Sequence, residues 1–298
     1  MSETSATSAI TPSELAALPI RPRRHPLRIL GAAIVIAMLV FLIYSFANGK
    51  LDWSQFSKYL TAETILRGVV NTILISFLSM VLGLVLGTVF AIMRLSKNVV
   101  LSTVAWFYVW LFRGTPLLLQ LLLWYNLALI FPTIGPFETV TIMTPLVAAL
   151  LGLGINEGAY LAEIIRGGIV SVDSGQEEAG RALSFSGRQR MRYIVLPQAL
   201  PAIVPAIGNE TVGMMKTSSL AAVISFNELL TGAQMIYFRN GAIIELLFVA
   251  AFWYLVVVSV TSAVQFLVER SLAKRRGSST RETAIVGYFR KARAALSS

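Results

Sequence analysis

The sequence predicts an all-α membrane protein with six transmembrane helices and both termini in the cytoplasm. Of its 298 residues 56% are hydrophobic and only 13% are charged, and the mean hydropathy is +0.72. A soluble domain carries about 25% charged residues. The charges lie in short runs between long uncharged stretches, and Lys and Arg are distributed unequally between alternate runs. This pattern excludes an ordinary soluble enzyme, a disordered chain and a nucleic-acid-binding module, despite a net charge of +10.

Six stretches are long and apolar enough to cross a bilayer, whose hydrocarbon core of about 30 Å requires roughly 20 residues of helix. They are residues 29–47, 68–93, 99–112 together with 117–131, 141–165, 201–224 and 243–268. The third is interrupted by Arg113-Gly-Thr-Pro116, where we predict a break because proline cannot continue a helix. We interpret 29–47 as a retained anchor helix rather than a cleaved signal peptide, since signal peptides have apolar cores of about 7–15 residues.

The distribution of Lys and Arg gives the orientation of these spans. The runs on one side hold 19 basic residues and those on the other side hold 4. Because basic residues favour the cytoplasmic side, we expect the loop 166–197 and both tails to be cytoplasmic. Residues 1–28 are expected to form a disordered basic tail, and residues 269–298 a second basic tail that touches anionic membrane lipids.

The loop 166–197 contains signals for two short helices. Ser174 followed three residues later by Glu177 fits a capping box, so we predict a first helix from about Gly175. Residues 184–187 then carry a turn signal, and residues 188–193 are predicted to form a second, basic helix.

The apolar residues of this predicted hairpin suggest a docking role. Ala179, Leu183 and Phe185 would form a knob that fits a groove in a partner protein. The alternative is a solvated connector that is stabilised only by its helix caps.

The loop also carries a recognisable signature. Glu178-Ala-Gly180, then Ser184, then Ile194-Val-Leu-Pro197 resembles the cytoplasmic signature of the permease subunit of bacterial ATP-binding-cassette importers of the polar amino acid type, which include histidine, glutamine and arginine permeases. Two positions depart from the family pattern, because Gly180 replaces an alanine and Ser184 replaces a glycine. Other matches, from Arg113-Gly-Thr-Pro to Lys216, extend the resemblance over residues 65–268. The helix 29–47 lies outside this five-helix type I permease core and is an addition to it.

The resemblance implies a mechanism and a set of partners. Two permeases, identical or paralogous, would pair in the bacterial inner membrane, dock on two copies of an ATP-binding subunit and receive an amino acid from a periplasmic or lipid-anchored binding protein. ATP and Mg would bind to the partner subunit and no cofactor to this chain, which lacks the phosphate-binding motif G-x-x-x-x-G-K-[ST]. The coupling to the ATPase is expected from residues Gln176, Glu177, Glu178, Ala179, Arg181, Leu183, Phe185 and Gly187.

Polar residues within the spans suggest a transport pathway. Counted from the cytoplasmic boundary at 1.5 Å per residue, Asn209 lies roughly 18 Å deep and Glu157 roughly 14 Å deep. Ionisable residues at such depth usually face an interior or a cavity. We therefore expect a midplane pocket for a polar amino acid, and its excess acid favours a cationic one. Its candidate residues are Asn156, Glu157, Asn209, Glu210 and Lys216.

Structural explanations compete with this pocket. Glu157 could pair with Arg113, and Glu210 with Lys216, although a spacing of six residues poorly shares a helix face. Glu163 and Arg166 are expected to form an ion pair at the membrane interface. Gly83 and Gly87 predict close helix packing, for which an interface between two permeases is one possibility.

Two other functions compete with that of an ATP-driven permease. An ion-coupled secondary transporter would use Glu157 or Glu210 as a proton relay. A membrane-embedded enzyme is disfavoured, because one histidine, His25, and no cysteine leave no convincing catalytic or metal-binding set. We therefore expect a transport subunit that is not itself an enzyme.

Overall fold

The computed structural model describes residues 26–49 and 51–275. The chain divides into two compact units, with the division after Leu51. The first contains helix α1 (Pro26–Ala47), which confirms a helix over 29–47. Its apolar stretch, Leu30–Leu42, is shorter than the candidate spans of the second unit, so its crossing of the membrane stays a prediction. The two predicted tails, 1–28 and 269–298, lie mostly outside the described residues. Their described parts, 26–28 and 269–275, are helical.

The second unit consists mainly of helices. They are α2 (Trp53–Tyr59), α3 (Glu63–Arg94), α4 (Val99–Gly114), α5 (Leu117–Tyr125), α6 (Thr139–Ile142), α7 (Pro145–Val170), α8 (Ser174–Ala182), α9 (Gly187–Arg190), α10 (Leu196–Thr217), α11 (Leu229–Asn240) and α12 (Ile243–Arg275). Short 3-10 segments cover Leu127–Leu129 and Ser218–Ile224, and a π-helical segment, Met191–Val195, joins α9 to α10.

Four helical stretches of the second unit are long and apolar enough to cross a membrane. They are Glu63–Arg94, Pro145–Val170, Gly187–Ile224 and Ile243–Leu272. A fifth is added if α4 and α5, which meet at an angle of 101°, together form one broken span. The predicted break at residues 113–116 is therefore confirmed, and the described residues contain four to five candidate spans.

Two apolar clusters hold these helices together. Ile75, Leu121 and Leu153 are completely buried and join α3, α5 and α7. A second cluster joins α3, α11 and α12, and it includes Leu229 and Leu246. Helix α11 was not predicted from the sequence, although it supplies one side of this second cluster.

Helices α3 and α7 approach closely at Gly83 and Gly87. A Cβ atom added at Gly87 would lie 2.7 Å from Leu161 Cβ, and one added at Gly83 would lie 3.0 Å from Glu157 Cγ. The predicted close packing is thus confirmed, but its partner is α7 of the same chain. Since α7 occupies this glycine face, the idea that it forms an interface between two permeases is wrong.

Several element boundaries differ from the predictions. A two-stranded antiparallel hairpin pairs Thr133–Ile134 with Phe137–Glu138, so the fold is not purely α. Helix α7 begins at Pro145, four residues later than predicted, because Thr144 accepts a hydrogen bond from Val147 N and caps it. Helix α10 begins at Leu196 rather than at residue 201, because the helix continues from the cytoplasmic loop into the span.

Candidate functional site

The cytoplasmic loop folds as a helical hairpin, α8 and α9, but α8 is capped differently from the prediction. Asp173 is the N-cap residue, and its Oδ1 accepts a hydrogen bond of 2.8 Å from Gly175 N. The predicted capping box of Ser174 and Glu177 is wrong, because the Glu177 carboxylate instead pairs with Arg181 at 2.8 Å and Arg190 at 3.7 Å. A capping box does form at α9, between Ser186 and Gln189.

Of the two ion pairs of Glu177, the pair with Arg190 links α8 to α9, whereas the pair with Arg181 lies within α8. The hydrogen bond from Arg181, followed by the charges of Arg181 and Arg190, keeps the pKa of Glu177 below its ordinary value. A carboxylate with a lowered pKa contributes stability above its unfolded pKa and loses it as the pH falls through the folded one. The Glu177 pairs are therefore intact at neutral pH.

The turn between α8 and α9 depends on Ser184. This residue has a φ of 61°, in the left-handed region that glycine favours. Ser184 N donates to Arg181 O at 2.9 Å and Phe185 N donates to Gly180 O at 3.0 Å, which is the Schellman arrangement. The predicted turn is confirmed. Serine here replaces the glycine of the family signature and bears the steric penalty that glycine avoids.

Replacing Ser184 with glycine should stabilise the hairpin. An L-residue in the left-handed region costs about 1 kcal/mol, so Ser184→Gly should raise the hairpin's free energy of unfolding by about that amount. Ser184→Val should lower it, and Ser184→Ala, which keeps the Cβ atom, should change it little. Hydrogen exchange of amides 174–190 in the purified transporter measures the effect. Equal exchange in the glycine variant and the parent would contradict the strain at this position.

The hairpin is continuous with the membrane-spanning helix α10. Helix α9 runs through Met191–Val195 into Leu196–Thr217 with no intervening loop, so the predicted second helix, 188–193, is the start of a longer one. Gly180 is buried, and a Cβ atom there would lie 2.6 Å from Ile194 Cδ1. Helix α8 thus packs directly on the segment that leads to α10.

Most of the predicted coupling residues lie on the exposed surface of this hairpin. Gln176, Glu178, Ala179, Arg181, Leu183 and Gly187 are exposed, whereas Glu177 and Phe185 are half-buried. Leu183 exposes 69% of its surface. A large apolar side chain surrounded by charges at a loop tip is a feature that a partner protein can cover.

Within the membrane, Glu157 of α7 is the most deeply buried of the predicted pathway residues. It is 6% exposed, and its Oε1 has no hydrogen-bond partner among the described residues. Glu157 interacts electrostatically with Glu210 of α10, and its charge acts on Tyr108 of α4. Carboxylates of two separate spans therefore interact, and their place at a similar depth in a pathway stays a prediction.

The side chain of Asn156, on α7, contacts the break between α4 and α5. Pro116 has no N–H to donate to Phe112 O, the carbonyl four residues before it. Asn156 Nδ2 donates to Phe112 O at 2.7 Å, and Gln120 Nε2 donates to the same oxygen at 3.0 Å. The Asn156 amide therefore stabilises the break, and its position beside the pathway stays a prediction.

The other pathway candidates are more accessible. Asn209 is exposed, and its Oδ1 accepts a hydrogen bond of 2.9 Å from Gln265 Nε2 on α12. Glu210 is half-buried and Lys216 is exposed. Lys216 lies in the last turn of α10. Among the described residues it forms no ion pair with Glu157 or Glu210.

Of the competing ion pairs, one is present. Glu163 pairs with Arg166 at 2.7 Å and, more weakly, with Arg94 of α3 at 3.5 Å. No pair between Glu157 and Arg113 forms among residues 26–49 and 51–275; the Arg113 guanidinium instead lies 5.0 Å from the centre of the Tyr160 ring.

The buried carboxylate of Glu228 was not predicted from the sequence. It caps α11 by accepting hydrogen bonds from Leu230 N at 2.9 Å and Thr231 N at 2.7 Å, and Tyr254 of α12 donates its hydroxyl to it. Glutamate is not among the usual N-cap residues, so residue type alone does not predict this cap. An acidic residue directly before the apolar pair Leu229-Leu230 was the available signal.

Comparison with known proteins gives a consistent picture. A family model described as binding-protein-dependent transport system inner membrane component matches residues 79–274. The arginine transport system permease protein ArgU of Corynebacterium glutamicum is 40% identical over 261 residues, which cover 85% of this chain and 83% of that protein. The nopaline transport system permease protein NocM of Agrobacterium fabrum is 38% identical over 209 residues, covering 69% and 86% of the two chains.

A solved structure of the same class has a similar fold. It is described as an amino acid ABC transporter with histidines, and it matches 75% of this chain and 100% of its own at a TM-score of 0.67 and 35% identity. The family match covers more than half of the chain and includes the helical hairpin, α10 and most of the candidate spans. This chain therefore belongs to the family of inner membrane components of binding-protein-dependent transport systems.

Proposed function

We propose that the chain is the transmembrane permease of an ATP-driven importer that moves a cationic amino acid across the inner membrane. One observation carries the choice of substrate: the Glu157 carboxylate is buried, one of its oxygens lacks a partner, and it interacts electrostatically with Glu210 of another span. The positive side chain of a cationic amino acid would stabilise this site, since a buried carboxylate is costly without a cation or a hydrogen-bond donor. The name of one similar permease, for arginine, supports this class of substrate.

The energy for transport comes from a separate subunit in this proposal. Two ATP-binding subunits, which hold ATP and Mg, receive the hairpins of two permeases, identical or paralogous, and a binding protein delivers the amino acid from outside. The exposed Leu183 and the continuity of the hairpin with α10 support this role. Closure of the ATPases would move each hairpin, and α10 would transmit the movement to the pathway as a rigid element.

The proposed topology has six spans and cytoplasmic termini. Helix α1 supplies the additional span before the five of the permease core. The excess of basic residues on one side, 19 against 4, supports this orientation. Substituted-cysteine labelling from each side of the membrane at Ser5 and Ser297 tests it, and modification from outside would contradict it.

Co-purification and reconstitution test the proposed function. We expect a P-loop ATPase to co-purify with the chain, and vesicles containing the complex to import a cationic amino acid only with ATP and the binding protein. Import by vesicles that contain this chain alone, driven by a proton or sodium gradient, would instead support the secondary transporter that uses Glu157 and Glu210. Membership of the binding-protein-dependent family favours the ATP-driven system.

Replacing Asn209 should weaken transport without preventing assembly. We expect Asn209→Leu to lower substrate-stimulated ATP hydrolysis about tenfold, because a polar site that loses one hydrogen bond to its ligand loses about 1–2 kcal/mol. Gln265→Leu is the matched control, since it removes the same 2.9 Å interhelical hydrogen bond but leaves Asn209 in place. Equal losses in both variants would mean that Asn209 acts only through helix packing.

A further inference from the structure

Arg113 is prominent in the sequence but has no part in the proposed transport step. It lies in the last turn of α4, and its side chain is exposed. Together with residues of α3, α4 and α7 it lines a cleft of about 440 Å³. The lining side chains that matter here are those of Arg94, Trp106, Trp110, Arg113, Tyr160 and Glu163.

The cleft carries excess positive charge. Glu163 is its only carboxylate among the described lining residues, and that carboxylate is already paired with Arg166 and Arg94. Arg113 has no carboxylate within ion-pair distance among the described residues, and its guanidinium lies over the Tyr160 ring. Two lining guanidinium groups, those of Arg94 and Arg113, stand against the one carboxylate of Glu163. Since Arg113 has no ion-pair partner within the described part of the chain, the cleft is suited to an anion with several oxygen atoms.

The wall beside these charges is aromatic and exposed. Trp106 and Trp110 stack at 6.0 Å between ring centres, and they expose 49% and 57% of their surfaces. Tryptophan is enriched where the hydrocarbon of the bilayer meets the polar headgroups. Tyr160 lies six residues before Arg166 on α7, roughly 9 Å along the helix axis. On the proposed topology, Arg166 lies at the cytoplasmic boundary, so the cleft opens at the headgroup level of the inner leaflet.

We propose that this cleft binds the headgroup phosphate of an anionic phospholipid from the cytoplasmic leaflet. Arg113 contacts the phosphate and Arg94 adds charge, while the acyl chains lie along Trp106 and Trp110. Basic pockets between transmembrane helices on the cytoplasmic side are suited to such headgroups. The bound lipid would brace the broken span where α4 ends and α5 begins. The inference rests on the proposed topology for its choice of leaflet.

Lipid retention by the complete transporter tests the proposal. Native mass spectrometry of the detergent-purified complex counts the phosphatidylglycerol retained per permease, against a background of phosphatidylcholine. We expect Arg113→Gln to bind phosphatidylglycerol about five-fold more weakly, since one arginine near a membrane surface contributes about 1 kcal/mol. Arg113→Lys should retain most of the binding. Arg239→Gln is the control, because Arg239 is exposed and lies outside the cleft.

Further measurements distinguish binding of a lipid from binding of other anions, and distinguish failure of this proposal from failure of the proposed function. Inorganic phosphate at millimolar concentration should not raise the melting temperature, whereas phosphatidylglycerol should; stabilisation by phosphate alone would overturn the lipid proposal. If Arg113→Gln does not assemble, Trp110→Leu serves instead, and it should also weaken retention. Unchanged retention in Arg113→Gln, or in Trp110→Leu where that variant replaces it, overturns the proposal. Because retention in detergent requires neither transport nor sidedness, such a failure leaves the proposed function untouched.

Discussion

A transporter that carries Glu178→Lys is expected to hydrolyse ATP while importing almost no amino acid. Glu178 is exposed on α8, beside the exposed Ala179, and it forms no ion pair within the described part of the chain. If it pairs with a basic group of the ATPase, charge reversal replaces attraction by repulsion. Removing one member of a buried interface pair costs about 2–5 kcal/mol, so we expect uptake to fall at least about thirty-fold.

Uptake and ATP hydrolysis must be measured on the same proteoliposomes. Ala179→Arg, which adds bulk at the same surface, should have a similar effect. Arg270→Glu is the matched control, because it reverses a charge on an exposed residue of α12 outside the hairpin, and it should leave uptake near the parental rate. Parental uptake in both hairpin variants would refute the docking role of α8.

Glu157→Gln is expected to reduce uptake of a cationic amino acid about ten- to hundred-fold while preserving assembly. Glutamine has nearly the same shape, so the close approach of Gly83 to this side chain is kept. The change removes the charge of a residue that is 6% exposed and whose Oε1 lacks a partner. A hydrogen bond to a charged group contributes about 1.5–3 kcal/mol, which corresponds to the expected range.

The charge of the substrate provides the internal control. Uptake of neutral amino acids by the same system should change little in Glu157→Gln, since their side chains carry no positive charge to pair with the Glu157 carboxylate. Glu245→Gln is the control variant, because Glu245 is a half-buried carboxylate of α12 that accepts a hydrogen bond from Asp52 N at 3.1 Å. Unaltered import of the cationic amino acid by Glu157→Gln would remove this residue from the pathway.

The long spans were predictable because a bilayer enforces a simple rule. Every backbone polar group must be paired inside the hydrocarbon, so a spanning segment is a helix of roughly 20 apolar residues. The break at Pro116 was also predictable, since proline lacks an N–H. The hairpin and its turn followed from local signals, although the N-cap was Asp173 rather than Ser174. Both residues are good caps, and competition between neighbours decides which one is used.

The polar contacts between helices were not predictable in the same way. Depth along a helix placed Glu157 and Glu210 at similar levels, but it could not show that Asn156 supplies a donor to Phe112 O, nor that Gly83 packs on Glu157. Helix α11 was missed because Glu228, a charged residue, interrupts the apolar pattern. The burial of Glu228 is explained by hydrogen bonds from the hydroxyls of Tyr254 and Thr231 and from the amides of the first turn of α11.

The sequence by itself determined the long apolar helices, where the broken span bends and which loop forms the hairpin, because these depend on local composition and on backbone chemistry. Only the tertiary structure decided which polar side chains are satisfied and which are left open. Asn156 and Glu157 are neighbours in sequence, yet the Asn156 amide is engaged at the helix break and one Glu157 oxygen has no partner. That difference arises because each side chain's surroundings come from other helices, far away along the chain.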